Sequence, residues 1–363
     1  MNGPADETQH SEEDAPSDET TEASASTPPP DRSSDVVIMG GGDAGIAVAE
    51  RLGEANRDLR IALVEPTTFK YDQPMWVRVG TEGVDEATTR SLEARHVPAG
   101  VDWIQDRVAS IDPVQRVLRL DAEAPIGYTY LVVATGIGPR WDRIRGLKEG
   151  LGTRGICSVY GYEQAARTWD LIRDFGGGTA VFTAPSGPFK GGTTPLSVLH
   201  RAEKLWRETG VRDHTELFFA TAADPEFAGE AYPDMMTRDR EEEDVHVYVG
   251  HELIEVRPEH QEAVFSVEKG QSQSGTVLGY DLLHVVPPMR PPAVIEESEL
   301  AYPQGALRGY LKVDPESLRH TRFATVFGVG DVVGVKGEKT GAQAREQAAE
   351  VATTLLRLTE GGV

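Results

Sequence analysis

Six consecutive residues, Gly40-Gly41-Gly42-Asp43-Ala44-Gly45, carry the G-x-G-x-x-G spacing that lets a backbone wrap a diphosphate. The first glycine allows a tight turn, the second lets the backbone approach a pyrophosphate, and the third lets a helix pack close to the strand before it. A helix opening at this point offers unpaired N–H groups and its positive dipole end to the phosphates. Glu65 lies 20 residues past Gly45, where a carboxylate takes the hydroxyls of a ribose. This chemistry needs a strand before the loop and a helix after it, and the sequence supplies both. Val36-Val37-Ile38 reads as a buried strand; Ile46, Val48, Ala49 and Leu52 form the inner stripe of a helix over about residues 43–55. Ile61-Ala62-Leu63-Val64 completes a βαβ unit. A glycine-rich turn with no ligand is the plainer alternative, but the context favours a dinucleotide.

A second stretch has the same outline. Residues 179–198, TAVFTAPSGPFKGGTTPLSV, run from an apolar strand through a Gly/Pro turn into a helix. They contain no G-x-G-x-x-G, and Pro185 and Pro188 remove N–H groups that a phosphate would need. A nicotinamide nucleotide is not expected there.

The chain that must position these loops has 363 residues, enough for two sizeable cores. Residues 1–34 hold nine acids and one base among Ser, Thr and Pro, and read as a disordered acidic tail. Beyond it, short strands are expected near 101–109, 116–120 and 129–134. A helix at 161–174 leads to a strand at 179–183, and a helix at 194–209 to a strand at 216–220. Further strands fall near 245–286, then a strand at 325–328 and a helix at 340–357. The order implies an α/β fold of two Rossmann-like dinucleotide-binding domains, the second inserted in the first. The first domain takes residues 35–145 and 288–363; the second takes 146–287.

Composition narrows the function. The net charge is −23, and of 36 basic residues 28 are Arg and 8 are Lys. Such an acidic, Lys-poor surface suits a salt-loving host, although a GC-rich genome also favours Arg; either way it repels nucleic acid. A single cysteine, Cys157, excludes an intrachain disulfide and a cysteine metal cluster. The nine histidines show no metal-ligand spacing, so no metal is expected. No apolar run reaches the roughly 18 residues of a membrane span, and no secretory signal is evident, so the expected place is the cytoplasm.

Two later segments, Tyr130-Leu131-Val132-Val133-Ala134-Thr135-Gly136 and Val326-Phe327-Gly328-Val329-Gly330-Asp331, resemble the Ala-Thr-Gly and Gly-Asp motifs of flavoproteins with two dinucleotide-binding domains, the glutathione-reductase-like FAD/NAD(P)-binding fold. That resemblance implies FAD on the first loop, with Asp331 on its ribityl chain. Ala62–Pro66, Tyr71–Trp76, Gly155–Tyr160 and Tyr280–Pro288, together with Lys339-Thr340-Gly341-Ala342, are similar to the sulfide:quinone oxidoreductases within that group. The implied cofactor set is Gly40, Gly42, Gly45, Glu65, Gln73, Val108, Thr135, Gly136, Gly330, Asp331 and Lys339.

In that family sulfide attacks a disulfide beside the flavin, a thiolate passes two electrons to FAD, and reduced FAD passes them to a quinone; disulfides react this way through a mixed intermediate. The family pattern Pro-x-Lys-Cys stands here as Pro188-Phe189-Lys190-Gly191, so Gly191 takes the place of the first reactive cysteine. The second is expected past the final helix, in a segment that also docks on the membrane; residues 1–363 contain neither that cysteine nor that segment. Cys157 then stands either as the third, earlier cysteine of the family, near the flavin, or as a buried hydrophobe. Lys339 is expected at the N-terminus of the last helix, stabilising the anionic reduced flavin. Trp76 and Gln73 fall where the family packs against the flavin, and Lys190 reads as a surface residue beside the loop.

The sequence therefore predicts an FAD-dependent oxidoreductase moving electrons from a reduced sulfur donor to an acceptor such as a quinone, without the usual disulfide. It would be cytoplasmic or peripheral to the inner membrane face. Two rivals remain: a type 2 NADH dehydrogenase-like flavoenzyme, and a flavin-holding partner or electron-relay subunit that does not turn over. Homodimerisation and a partner subunit are both left open.

Overall fold

The computed structural model describes Pro30 and residues 32–242, 244–269 and 272–361. The acidic tail therefore lies outside the described residues, except for Pro30 and its last three positions. Those three are strand, not tail: strand Arg32–Met39 begins with Arg32, Ser33 and Ser34 opposite Ile126, Gly127 and Tyr128. Main-chain pairing decides the conformation there, against polar side chains that carry no strand signal.

Five parallel strands form the first sheet, in the order Asp102–Ile104, Ile61–Val64, Arg32–Met39, Ile126–Val133, Val326–Gly328. Strand Ile126–Val133 is long enough to serve two partners along the edge away from Arg32–Met39. Its start pairs antiparallel with Val117–Leu120, which pairs in turn with Val108–Asp112, and its end pairs with Val326–Gly328. Val36, Val37 and Ile38 are wholly buried, as a central parallel strand covered on both faces must be. Helix Asp43–Ala55 packs against the last helix, Gly341–Thr359, through small residues: Ala44, Ala47 and Ala49 on one, Ala344, Ala348 and Ala352 on the other.

The second sheet is also parallel, in the order Ile156–Cys157, Leu282–His284, Gly178–Ala184, Thr215–Thr221, His246–Val249. Alternation along its strands serves two cores. Ala180 and Phe182 join Leu196, Leu199 and Trp206 of helix Thr194–Thr209. Val181 joins Leu253 and Phe265 of the antiparallel sheet His251–Arg257, Glu262–Lys269, Ser272–Gly279. The chain passes between the two parallel sheets in two segments, Gly138–Pro139 and Met289–Arg290, which pair with each other.

Besides three single-turn α-helices, two longer ones among the described residues have no counterpart in the sequence reading: Trp76–Glu82 and Tyr232–Glu242. The second ends at Glu242, inside an acidic stretch of sequence, residues 241–244; the next residue after Glu242 lies outside the described set. Among the described residues no helix is long and apolar enough to cross a membrane, and no group of His, Cys, Asp and Glu could hold a metal ion.

Candidate functional site

The glycine loop joins the end of strand Arg32–Met39 to the start of helix Asp43–Ala55. A methyl group on Gly45 would stand 2.0 Å from the carbonyl oxygen of Gly40, so only glycine lets this helix start so close to the strand. Around Gly42, by contrast, there is open space, and Gly42 is the N-cap residue of a helix whose cap makes no side-chain bond. The first-turn N–H groups of a helix have no intrahelical partner, and this helix start borders open space, as a bound phosphate requires.

The strand ends around this loop supply the rest. Glu65 follows Ile61–Val64. Its Oε2 accepts the Gly41 N–H at 2.8 Å and its Oε1 accepts the Thr67 N–H and hydroxyl at 2.8 and 2.6 Å. The Glu65 N–H donates to Ile104 at 3.1 Å, which brings the end of strand Asp102–Ile104 alongside; Val108 follows four residues on and is buried. Thr135 and Gly136 follow Ile126–Val133. Thr135 Oγ1 is buried with no hydrogen-bond partner, and Gly136 borders open space. An orphaned hydroxyl beside an open glycine loop is what a polar dinucleotide would satisfy. Gly330 and Asp331 follow Val326–Gly328. The Gly330 N–H donates to Gln347 of the last helix at 2.8 Å, and Asp331 is half-buried, with its charge felt by Lys190, Lys339 and Tyr310. Gly40, Gly42, Gly45, Glu65, Thr135, Gly136, Gly330 and Asp331 thus gather at the C-terminal ends of one sheet, where α/β folds bind ligands.

A second group comes from the other sheet. The segment after strand Gly178–Ala184 crosses to the residues before the last helix, and the Gly191 N–H donates to the Lys339 carbonyl at 2.9 Å. Lys190 and Lys339 form a parallel bridge. Lys190 Nζ donates to Gln73 Oε1 at 2.7 Å, so Lys190 is a bonded, half-buried group rather than the free surface residue its sequence suggests. Lys339 is 3% exposed; its Nζ donates to the Val333 carbonyl at 2.6 Å and lies 5.7 Å from the Tyr310 ring centre. Burial pulls Lys339 down to about 8 against the opposing pull of Asp331, and lowers Lys190 in the same way. Two phenols hold the loop: Tyr310 Oη lies 3.2 Å from the carbonyls of Pro188 and Met289, and Tyr160 Oη donates to that of Lys190 at 3.2 Å. Trp76 is nearly buried, with its indole N–H 3.2 Å from Thr89 Oγ1.

Cys157 does not fit a thiolate role. It lies in the second sheet opposite His284, 1% exposed, and burial pushes its thiol up to about 12. His284 is wholly buried and is pushed down to about 3, so no imidazolium stands beside the thiol. The plainer reading of Cys157, a small buried hydrophobe, is the one the packing supports.

The sequence reading missed Tyr160, Tyr310 and Glu93. Glu93 is 1% exposed with Oε1 unpartnered, and it belongs to no motif; only the fold brings it under the glycine loop. Tyr310 sits in a loop with no periodic signal.

The two parallel sheets and the glycine loop define the class. The pyridine nucleotide-disulphide oxidoreductase family matches residues 34–174. The sulfide:quinone oxidoreductase of Aquifex aeolicus has the same fold, with a TM-score of 0.73 at 18% identity over 91% of this chain and 78% of that one. The mitochondrial sulfide:quinone oxidoreductase of Mus musculus is 35% identical over 312 residues, 86% of this chain and 68% of the relative. That of Dictyostelium discoideum is 34% identical over 315 residues, with the same shares. The chain belongs to the sulfide:quinone oxidoreductase family and is an FAD-dependent oxidoreductase.

Proposed function

We propose that this oxidoreductase takes electrons from a small reduced sulfur species and passes them to an acceptor such as a quinone, with no cysteine pair of its own in the reaction. FAD, when bound, supplies the two-electron chemistry. The residues proposed to hold it are Gly40, Gly42, Gly45, Glu65, Gln73, Val108, Thr135, Gly136, Gly330, Asp331 and Lys339, within a first domain of residues 35–145 and 288–363. The second domain, residues 146–287, contributes the loop that carries Lys190.

The observation that carries this reading is the Lys190–Gly191 segment laid against Lys339. The Lys190 and Lys339 backbones lie side by side next to a loop position that carries no side chain, and their ammonium groups, held by Gln73 and by the Val333 carbonyl, give the region positive charge. Positive charge of this kind draws in a small anion, as hydrosulfide is at neutral pH. Lys339 keeps a cation beside the region where Asp331 and Tyr310 meet, suited to holding negative charge that grows on reduction. The sulfur donor then meets the flavin directly or through the thiol of a partner.

A nicotinamide donor is less well supported. In the second loop Pro185 and Pro188 lack N–H groups, and the Ser186 N–H is taken by Glu252 Oε2 at 2.7 Å. The absence of a thiol at residue 191 favours one further reading, a flavin-holding partner subunit that does not turn over. The acidic, Lys-poor composition supports a salt-rich setting, and a place in the cytoplasm, at or near the inner membrane face, belongs to the same proposal.

Anaerobic addition of sulfide to the flavin-loaded protein in high salt tests the proposal. Bleaching of the visible flavin band is the expected result. Bleaching by NADH alone would sink the sulfur donor, and no bleaching by either would leave the partner-subunit reading.

A further inference from the structure

Glu93 opens a short turn, Glu93–Arg95, after strand Arg90–Leu92. Its N–H donates to Thr68 at 2.9 Å and its carbonyl accepts the His96 N–H at 2.8 Å, so the main chain is fixed on both sides. Its side chain is 1% exposed, and Oε1 has no partner. That oxygen is aimed at the glycine loop. A methyl group on Gly41 would stand 2.6 Å from Glu93 Oε1 and 2.7 Å from Glu65 Cγ, so the two acids flank one glycine.

The charged groups facing Glu93 are Glu65 at the end of Ile61–Val64, Asp43 at the start of Asp43–Ala55, and Lys70 in Phe69–Tyr71. Lys70 is already paired with Asp43 at 2.6 Å. Three carboxyls thus share one committed cation. A buried carboxylate in that setting, with no hydrogen bond, is costly; a neutral carboxyl facing a polar ligand is not. Burial pushes Glu93 up to about 7; Lys70 opposes the rise, and Glu65 and Asp43 add to it.

A neutral carboxyl has an O–H to give and a carbonyl to accept, and a ribose hydroxyl can answer both. Glu65, bonded to Gly41 and Thr67, offers only acceptors when ionised. Building on the FAD assignment, we propose that Glu93 is a second acid at the adenosine ribose of FAD, acting beside Glu65 as a neutral hydrogen-bond donor. Its ionised form would face Glu65, Asp43 and the pyrophosphate at once, so it is incompatible with a tightly held cofactor. Flavin affinity is therefore tied to the protonation of one buried acid.

Dilution of the flavin-loaded protein, with released FAD read by its fluorescence, gives the dissociation constant at each pH. For the wild type it rises about tenfold between about pH 6 and pH 8, the response of a group that must carry its proton. Glu93→Gln keeps a neutral donor and acceptor, so its constant stays within about twofold of the wild-type value at the acid end throughout. A second readout needs no variant: the wild type, diluted in weak buffer at the alkaline end, releases protons together with flavin. A flat wild-type curve, an equal slope in Glu93→Gln, a folded Glu93→Gln that holds no flavin at acid pH, or flavin release without protons each overturns the proposal. A wild type that carries no flavin at any pH overturns the cofactor assignment instead, and this proposal with it.

Discussion

Two loops in this molecule leave the central strand of a parallel sheet and enter a helix, and they have come to opposite uses. The first, residues 40–45, donates to Val64 and Glu65 from Gly40 and Gly41, leaves the helix start after Gly42 beside open space, and has Gly40 and Gly45 where a Cβ would collide with backbone. The second, residues 185–193, uses its groups on the protein itself. Ser186 donates to Glu252, Lys190 to the Met289 sulfur, and Gly191 to Lys339. The scaffold alone does not make a phosphate site; free donors do. The second loop serves instead as a strap that carries Lys190 across to the first sheet.

The comparison breaks most sharply at Gly45. Gly45→Val places a side chain where even a methyl group meets the Gly40 carbonyl at 2.0 Å. The purified variant is expected to retain no flavin absorbance, with a loss of several kcal/mol in cofactor binding or local stability. The second loop is tested at Gly191, whose φ is +78° and whose added Cβ would lie 2.3 Å from Thr194 Oγ1. Gly191→Cys is expected to lower stability by about 1–3 kcal/mol in denaturant unfolding, because an L side chain is strained there. An unchanged midpoint would show that the loop tolerates a thiol.

Lys339→Met sharpens the role assigned to the strap. Loss of one buried cation is expected to lower the flavin potential by about 30 mV, worth about 1.4 kcal/mol for two electrons. It also changes stability against pH. The folded-state value of about 8 lies below the usual 10.5, so the unfolded chain holds more protons between the two. Wild-type stability should therefore gain on Lys339→Met as pH rises through that window, as read from paired unfolding curves; a loss would contradict the buried lysine. The smallest effect is expected at Cys157. Cys157→Ser should change the rate of flavin reduction by sulfide by less than about twofold, because a buried thiol held near 12 supplies no thiolate at neutral pH. A large fall would restore Cys157 as a reactive group.

The first loop was legible because its signal is local. Helix Asp43–Ala55, strand Ile61–Val64 and helix Thr194–Thr209 fall where glycine punctuation and apolar period put them. Residues 32–34 were missed because a polar edge of a strand depends on its partner for its conformation. Helix Trp76–Glu82 was missed because it is short. It is held by burial of Trp76 and Val79, not by a long periodic stripe. The burial of Lys339, the bond from Lys190 to Gln73 and the orphaned Glu93 oxygen are tertiary facts, and no spacing in the chain announces them. The motif residues located the cofactor region, while the electrostatics that would tune it came from residues with no motif.

Strand Ile126–Val133 meets its parallel neighbour Val326–Gly328 only after the second sheet has been made, and helix Gly341–Thr359 comes later still. On the ribosome, the second sheet can close while the first is one strand and one helix short. Asp331 and Lys339 come out after every strand of the second sheet, so the flavin cannot be gripped until that sheet has been synthesised. During that interval the edge of Ile126–Val133 lies open, and the nascent chain is exposed to mispairing there.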